Sequence, residues 1–139
     1  MEVIPLIWRI SSFFIFTDMA SSEKSLSDNK ISASIDAGKY TYGIVVAEWN
    51  EQVTEALYSG AYQTLIAAGA KRESIERINV PGTFELSLGG QWMAERSDID
   101  AVICLGCVIQ GETRHFDFIC DAVANGITNV NLKYNKPVI

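Results

Sequence analysis

The chain holds one histidine, three cysteines and fewer basic than acidic residues, and each shortage narrows what it does. Lys and Arg number 11 against 17 Asp and Glu, a net charge of −6. That balance argues against nucleic acid or an anionic membrane surface as partner and leaves small molecules or other protein chains. The cysteines Cys104, Cys107 and Cys120 fall in apolar strand and helix patterns. An odd number of them, without an export signal, reads as reduced thiols in a cytoplasmic protein. Cys104 and Cys107 spell C-x-x-C, yet within a strand an odd offset sends the two side chains to opposite faces, so they read as packing residues and metal ligands are expected to be none. The apolar start, Met1 to Phe16, is interrupted by Glu2, Pro5 and Arg9. It lacks a basic start and a small-residue cleavage site, and it is too short for a membrane helix.

What is present is one domain's worth of chain: 139 residues, 48% hydrophobic and 20% charged, enough for a single core. Residues 1–38 read as a flexible N-terminal extension, with a Ser-rich arm after Met19, the expected biological start, and a short edge strand at Ile31 to Ile35. Residues 39–139 read as the folded domain. Tyr42 to Glu48 is a buried-strand run ending at Trp49-Asn50. Asn50 reads as the N-cap of a helix with Val53, Leu57, Ala61 and Leu65 on one face and Gly69 as its left-handed terminator. After a polar connector, Arg77 to Val80 is a short strand. A helix from about Thr83 is expected to turn Phe84, Leu88, Trp92 and Met93 towards the sheet, with Gly89-Gly90 marking close approach to another backbone.

Ala101 to Ile109 is an unbroken apolar run, the pattern of a parallel strand covered on both faces. Phe116, Ile119, Cys120, Val123, Ile127 and Val130 then follow at helical spacing as far as about Tyr134. Asn135-Lys136-Pro137 turns the chain back, and Val138-Ile139 begins a further strand. Strand and helix alternating in this order give an α/β fold: a three-layer α/β/α sandwich with a mainly parallel, flavodoxin-like sheet.

Three strand-to-helix junctions then share the carboxyl edge of the sheet, where open α/β folds bind ligands. Trp49 offers a flat face, and Asn50 and Glu85 offer acceptors. Gly111-Glu112-Thr113, at a helix start, offers backbone N–H groups and a positive dipole end to an anion. His115 beside them has the side chain whose unperturbed pKa allows proton transfer in both directions near neutral pH. Taken singly, each has a plainer reading: Trp49 as rim packing, Glu85 as a first-turn acid, Gly82 as a turn requirement, His115 as a helix-end residue.

Taken together, Val45 to Asn50, Val80-Pro81-Gly82-Thr83-Phe84-Glu85, Gly106 to Asp117 and Asn135 to Ile139 resemble 6,7-dimethyl-8-ribityllumazine synthase, over roughly Tyr42 to Ile139. The resemblance implies a transferase of riboflavin biosynthesis. It condenses 5-amino-6-(D-ribitylamino)uracil with 3,4-dihydroxy-2-butanone 4-phosphate to give 6,7-dimethyl-8-ribityllumazine, phosphate and water, with no cofactor. It implies His115 as the proton-transfer residue. Trp49, Asn50, Thr83, Phe84, Glu85, Cys107, Val108 and Ile109 would hold the ribitylaminouracil, and Glu112 and Thr113 the phosphate. It also implies a homo-oligomer, a pentamer and in some members an icosahedral capsid of pentamers. A non-catalytic flavin or lumazine binder and a shell-forming protein are the rival readings; the first needs neither His115 nor the phosphate turn. Two departures stand out. Arg114 replaces the family's usual proline, and the chain ends before the aromatic lid and phosphate-binding arginine of the terminal helical region, so the domain reads as C-terminally incomplete.

Overall fold

The computed structural model describes residues 36–139. The apolar start, the Ser-rich arm and the edge strand expected at Ile31 to Ile35 lie outside the described residues. The first feature is a 3-10 turn, Ala37–Lys39, with Asp36 accepting from the Gly38 N–H. Six regular elements follow: β1 (Tyr42–Ala47), α1 (Glu51–Ala67), β2 (Ile75–Val80), α2 (Leu86–Ala94), β3 (Ala101–Leu105) and α3 (His115–Tyr134).

The sheet has the order β2-β1-β3, and both pairings are parallel. Val138 adds an isolated parallel bridge to Val102 beside β3, in place of the further strand expected to begin at Val138-Ile139. All six residues of β1 are buried, as a central strand covered on both faces requires. Their alternation sorts the core into two halves. Tyr42, Ile44 and Val46 join Ala61 and Leu65 of α1 and Ile103 of β3 on one side. Val45 and Ala47 join Met93 of α2, Val102 and Val130 of α3 on the other. Helices therefore lie on both faces of a parallel sheet, as the pattern predicts.

Several expectations need correction. β3 stops at Leu105, and Gly106 to Arg114 is irregular backbone rather than a continuation of the strand. The apolar run to Ile109 reflects a cavity wall, which demands the same residue types as a strand. Cys107 therefore lies beyond β3, so strand alternation does not relate it to Cys104; both are free thiols. β2 begins at Ile75, two residues early, directly after a 3-10 turn at Arg72–Ser74.

The face of α2 was also misjudged. Phe84, Leu88 and Trp92 are exposed, and only Met93 of the four expected residues is buried; the inward face is Leu86, Gly89, Gly90, Met93 and Ala94. Small residues win because the helix lies very close to the sheet. A Cβ on Gly89 would stand 2.6 Å from Val45 Cγ1 and 2.9 Å from Val80 Cγ1, and one on Gly90 3.1 Å from Cys104 Sγ. The close neighbours are side chains, not the backbone that the glycine pair suggests.

On α1, Ala61, Leu65 and Thr54 are buried while Val53 is exposed. The helix ends as expected: Gly69 takes φ +100°, its N–H donates to Ile66, and Ala70 donates to Leu65. Along α3 the expected stripe is the less exposed face, although only Val130 is fully buried. Asn135, in the left-handed region at φ 50°, ends that helix. No helix among the described residues is long and apolar enough to cross a membrane.

Candidate functional site at the carboxyl edge of the sheet

Because all three strands point the same way, their carboxyl ends and the loops that follow them meet at one edge. The first two junctions are joined by backbone hydrogen bonds that extend the ladder beyond the strands. Glu48 N–H donates to Val80 at 2.8 Å, and Trp49 N–H donates to Pro81 at 3.1 Å. This continuation keeps Trp49, 72% exposed, beside the Pro81-Gly82 turn.

Asn50 sits in the left-handed region, φ 63° and ψ 47°, which asparagine tolerates better than most residues. It starts α1 through its carbonyl, which accepts from Val53 and Thr54. Its side chain caps nothing. Instead the Nδ2 donates across the edge to the Cys107 carbonyl at 3.3 Å, a departure from the N-cap role that its residue type suggests.

After β2, Thr83–Glu85 forms a single 3-10 turn before α2. The Glu85 carboxylate folds back to accept from Gly82 N–H at 3.0 Å through Oε2. That bond fixes the side chain's direction while leaving Oε1 as an acceptor. Thr83 Oγ1 donates to the Cys107 carbonyl at 3.1 Å. Gly106 makes that approach feasible, since a Cβ there would lie 2.7 Å from both Thr83 Oγ1 and Leu86 Cδ1.

Between these junctions lies a cavity of about 340 Å³, lined by Trp49, Asn50, Gly82, Thr83, Phe84, Glu85, Cys107, Val108, Ile109, His115 and Ile119. A volume of that size suits one small molecule. The walls are a mixture of flat apolar surface and a few convergent polar groups: Trp49, Phe84 and Ile109 on the apolar side, Asn50, Thr83, Glu85 and His115 on the polar side. His115 opens α3 and so enters the cavity next to the helix's free N–H groups.

Of the residues singled out in the sequence, nine line this cavity, and Glu112 and Thr113 do not. Those two occupy the exposed turn just ahead of α3. Ile119 was missed as a lining residue, although it lies one helical turn beyond His115 and on the same face, a spacing that could have pointed to it. Gly82, read from the sequence as a turn requirement, also contributes the N–H that holds Glu85. Among the described residues no group of three or more His, Cys, Asp or Glu side chains is placed to hold a metal ion.

Known proteins bear on this arrangement. Residues 39–139 match the family model for 6,7-dimethyl-8-ribityllumazine synthase. The chain is 62% identical over 122 residues to the 6,7-dimethyl-8-ribityllumazine synthase of Cytophaga hutchinsonii, a match covering 87% of this chain and 76% of that protein. It is 46% identical over 121 residues to the Flavobacterium johnsoniae synthase, covering 87% and 64%. With the Parabacteroides distasonis synthase it shares 47% over 121 residues, covering 87% and 76%. The chain thus spans about three quarters of two of these relatives and under two thirds of the third. It belongs to the 6,7-dimethyl-8-ribityllumazine synthase family, transferases of riboflavin biosynthesis.

Proposed function

We propose that this chain condenses 5-amino-6-(D-ribitylamino)uracil with 3,4-dihydroxy-2-butanone 4-phosphate, and that the cavity at the carboxyl edge is where it does so. The observation that carries the reading is the convergence of Trp49, Glu85 and His115, from three separate junctions, on one cavity of small-molecule size. Trp49 stacks on the pyrimidine ring with Asn50 at its edge. Thr83, Phe84 and Glu85 hold the ribityl chain, for which the free Glu85 Oε1 is a hydroxyl acceptor. Cys107, Val108 and Ile109 contact the ring, and the turn at Glu112 and Thr113 presents backbone N–H groups to the phosphate.

The chemistry requires an amine to attack a carbonyl and lose water, phosphate to leave by β-elimination, and a second amine to close the ring with loss of a further water. No step needs an activated nucleophile. Each needs two substrates held in line and a proton moved, and alignment alone supplies much of the acceleration. His115 is the one imidazole in the chain; it takes the proton in the elimination and returns it in the dehydrations.

The exposure of Trp49, at 72%, supports a site completed by a second copy, since a stacking face needs a wall opposite it. Leu88 and Trp92 on α2 and Phe84 on the turn before it lie exposed and supply apolar surface of the kind that copies cover. This supports association between copies, which the family reading takes as a cytoplasmic homopentamer, alone or as the unit of a capsid. Mixing the protein with both substrates and following the fluorescence of the lumazine product tests the reaction: product formation is expected, and its absence overturns the proposal. Light scattering on the same sample tests the assembly.

A further inference from the structure

The three junctions are not tied together in the same way. The first and second share two backbone bonds, Glu48 to Val80 and Trp49 to Pro81. The third is the long irregular segment from Gly106 to Arg114, which carries Cys107, Val108 and Ile109 and leads to His115. Among the described residues, the side-chain hydrogen bonds that reach the stretch Cys107 to Thr113 number two, and both end on the same atom. Asn50 Nδ2, 57 residues away, and Thr83 Oγ1, 24 residues away, donate to the Cys107 carbonyl at 3.3 and 3.1 Å.

Resting on the function proposed above, we infer that the Cys107 carbonyl is the node that sets the position of the third junction, with Asn50 and Thr83 acting as positioning residues for the segment that leads to His115. Each donor comes from a different strand end, so the two bonds triangulate the segment against a frame that the sheet already holds rigid. One bond would leave the carbonyl free to swing about its donor. Two, converging from the ends of β1 and β2 on that one atom, fix where it sits against both.

The node also decides what the neighbouring atoms offer a ligand. A carbonyl only accepts, so it takes one Asn50 Nδ2 hydrogen and the Thr83 hydroxyl hydrogen and leaves Asn50 Oδ1, the second Nδ2 hydrogen and the Thr83 oxygen lone pairs. Both residues line the cavity. At this corner, then, Thr83 presents only acceptors, so a ligand N–H or O–H fits against it, while Asn50 offers both an acceptor and one N–H.

The segment ends with its own reporter, because trypsin cleaves after Arg114, whose side chain is 84% exposed. Cleavage requires the segment to open, and its rate follows the population of the open form when reclosing is fast. In the full chain, Thr83→Val removes one donor at constant shape, and Asn50→Asp removes the other while keeping a residue that tolerates the left-handed region. Each alone is expected to speed cleavage after Arg114 by about two- to tenfold, the worth of one hydrogen bond. The double variant should exceed the product of the two by about fivefold or more, because the carbonyl then has no donor. Thr83→Ser should stay within about twofold of the parent, and cleavage after Lys71 and Arg72, away from the node, should not change. Cleavage rates after Arg114 that are unaltered, or strictly multiplicative in the double variant, overturn the node. A parallel activity assay separates the two ideas: a parent protein that makes no lumazine defeats the proposed function, while the cleavage rates still judge the node.

Discussion

Asn131 holds Val138 at both of its backbone hydrogen-bonding groups. The Val138 N–H donates to Asn131 Oδ1 at 2.8 Å, and the Asn131 amide donates to the Val138 carbonyl. The flanking residues face the other way, Pro137 accepting from Val102 N–H and Ile139 donating to the Val102 carbonyl. A side chain of α3 therefore stands where the next strand of a sheet would be. Asn131→Leu keeps the size and removes both bonds, along with a third from the Asn131 amide to the Ile127 carbonyl at 2.9 Å. It is expected to destabilise the fold by about 1.5–4.5 kcal/mol, three neutral hydrogen bonds at their usual net worth, read as a lower urea midpoint with an unchanged slope.

Gly89 and Gly111 stand in contrasting surroundings, one crowded and one open. Gly89→Ala gains about 1 kcal/mol of helix propensity, but its methyl would meet Val45 and Val80 closer than carbon atoms pack. Overpacking of that kind costs about 1–3 kcal/mol and occasionally more, so a net loss of stability is expected. Gly111→Ala meets nothing within 4 Å and should leave the thermal midpoint nearly unchanged. Melting curves of the two variants, recorded side by side, check the contrast.

His115→Ala should lower turnover by about 10²–10⁴-fold, the usual contribution of a general acid–base group. Binding of the ribitylaminouracil should survive, because Trp49, Asn50 and Glu85 stay in place. Steady-state kinetics combined with a binding titration of that substrate read both quantities. An unchanged turnover number removes His115 from the proton-transfer role.

Stability should fall in alkali for a reason located in the core. Burial pushes the Cys104 thiol up from 9.0 to about 12, and burial, aided by the charges of Tyr40, Asp100 and Asp36, pushes the Tyr42 phenol up from 10.0 to about 12. Above about pH 9 the unfolded chain gives up these protons before the folded one does. It then binds fewer protons than the native state, and stability declines with rising pH. The decline from these groups should begin near pH 9 and level off near pH 12, and Cys104→Ala should remove the thiol's share of the slope. Urea midpoints measured across that interval test it.

Much of this molecule was legible from periodicity alone. Tyr42–Ala47 reads as a buried strand because every residue is apolar or small, and the turn at Gly69 reads as a left-handed terminator. What periodicity could not supply was the distance between layers. Phe84, Leu88 and Trp92 look like the core face of α2 by hydrophobicity. The helix instead turns its glycines inward, because the sheet lies too close for large side chains there. The site was legible as residue types at three junctions. Its connection through Cys107 was not, because a backbone carbonyl leaves no mark in the sequence, and an asparagine that caps a helix is spelled the same as one that reaches across a cleft.

The parallel order β2-β1-β3 has a further consequence, for the time course of folding. Neither hairpin nor local turn brings any two of these strands together, since each pairing waits for an intervening helix to be laid across the sheet. Contacts of such long sequence separation form slowly, because loop closure must be overcome before they reward it. The β1–β3 register, Tyr42 against Ala101 through Val46 against Leu105, closes the longest of these loops within the sheet, and it alone brings the segment beyond Leu105 to the junction at Trp49. The cavity is therefore among the last features to arise on refolding, and lumazine-forming activity should return no sooner than that final crossing is complete.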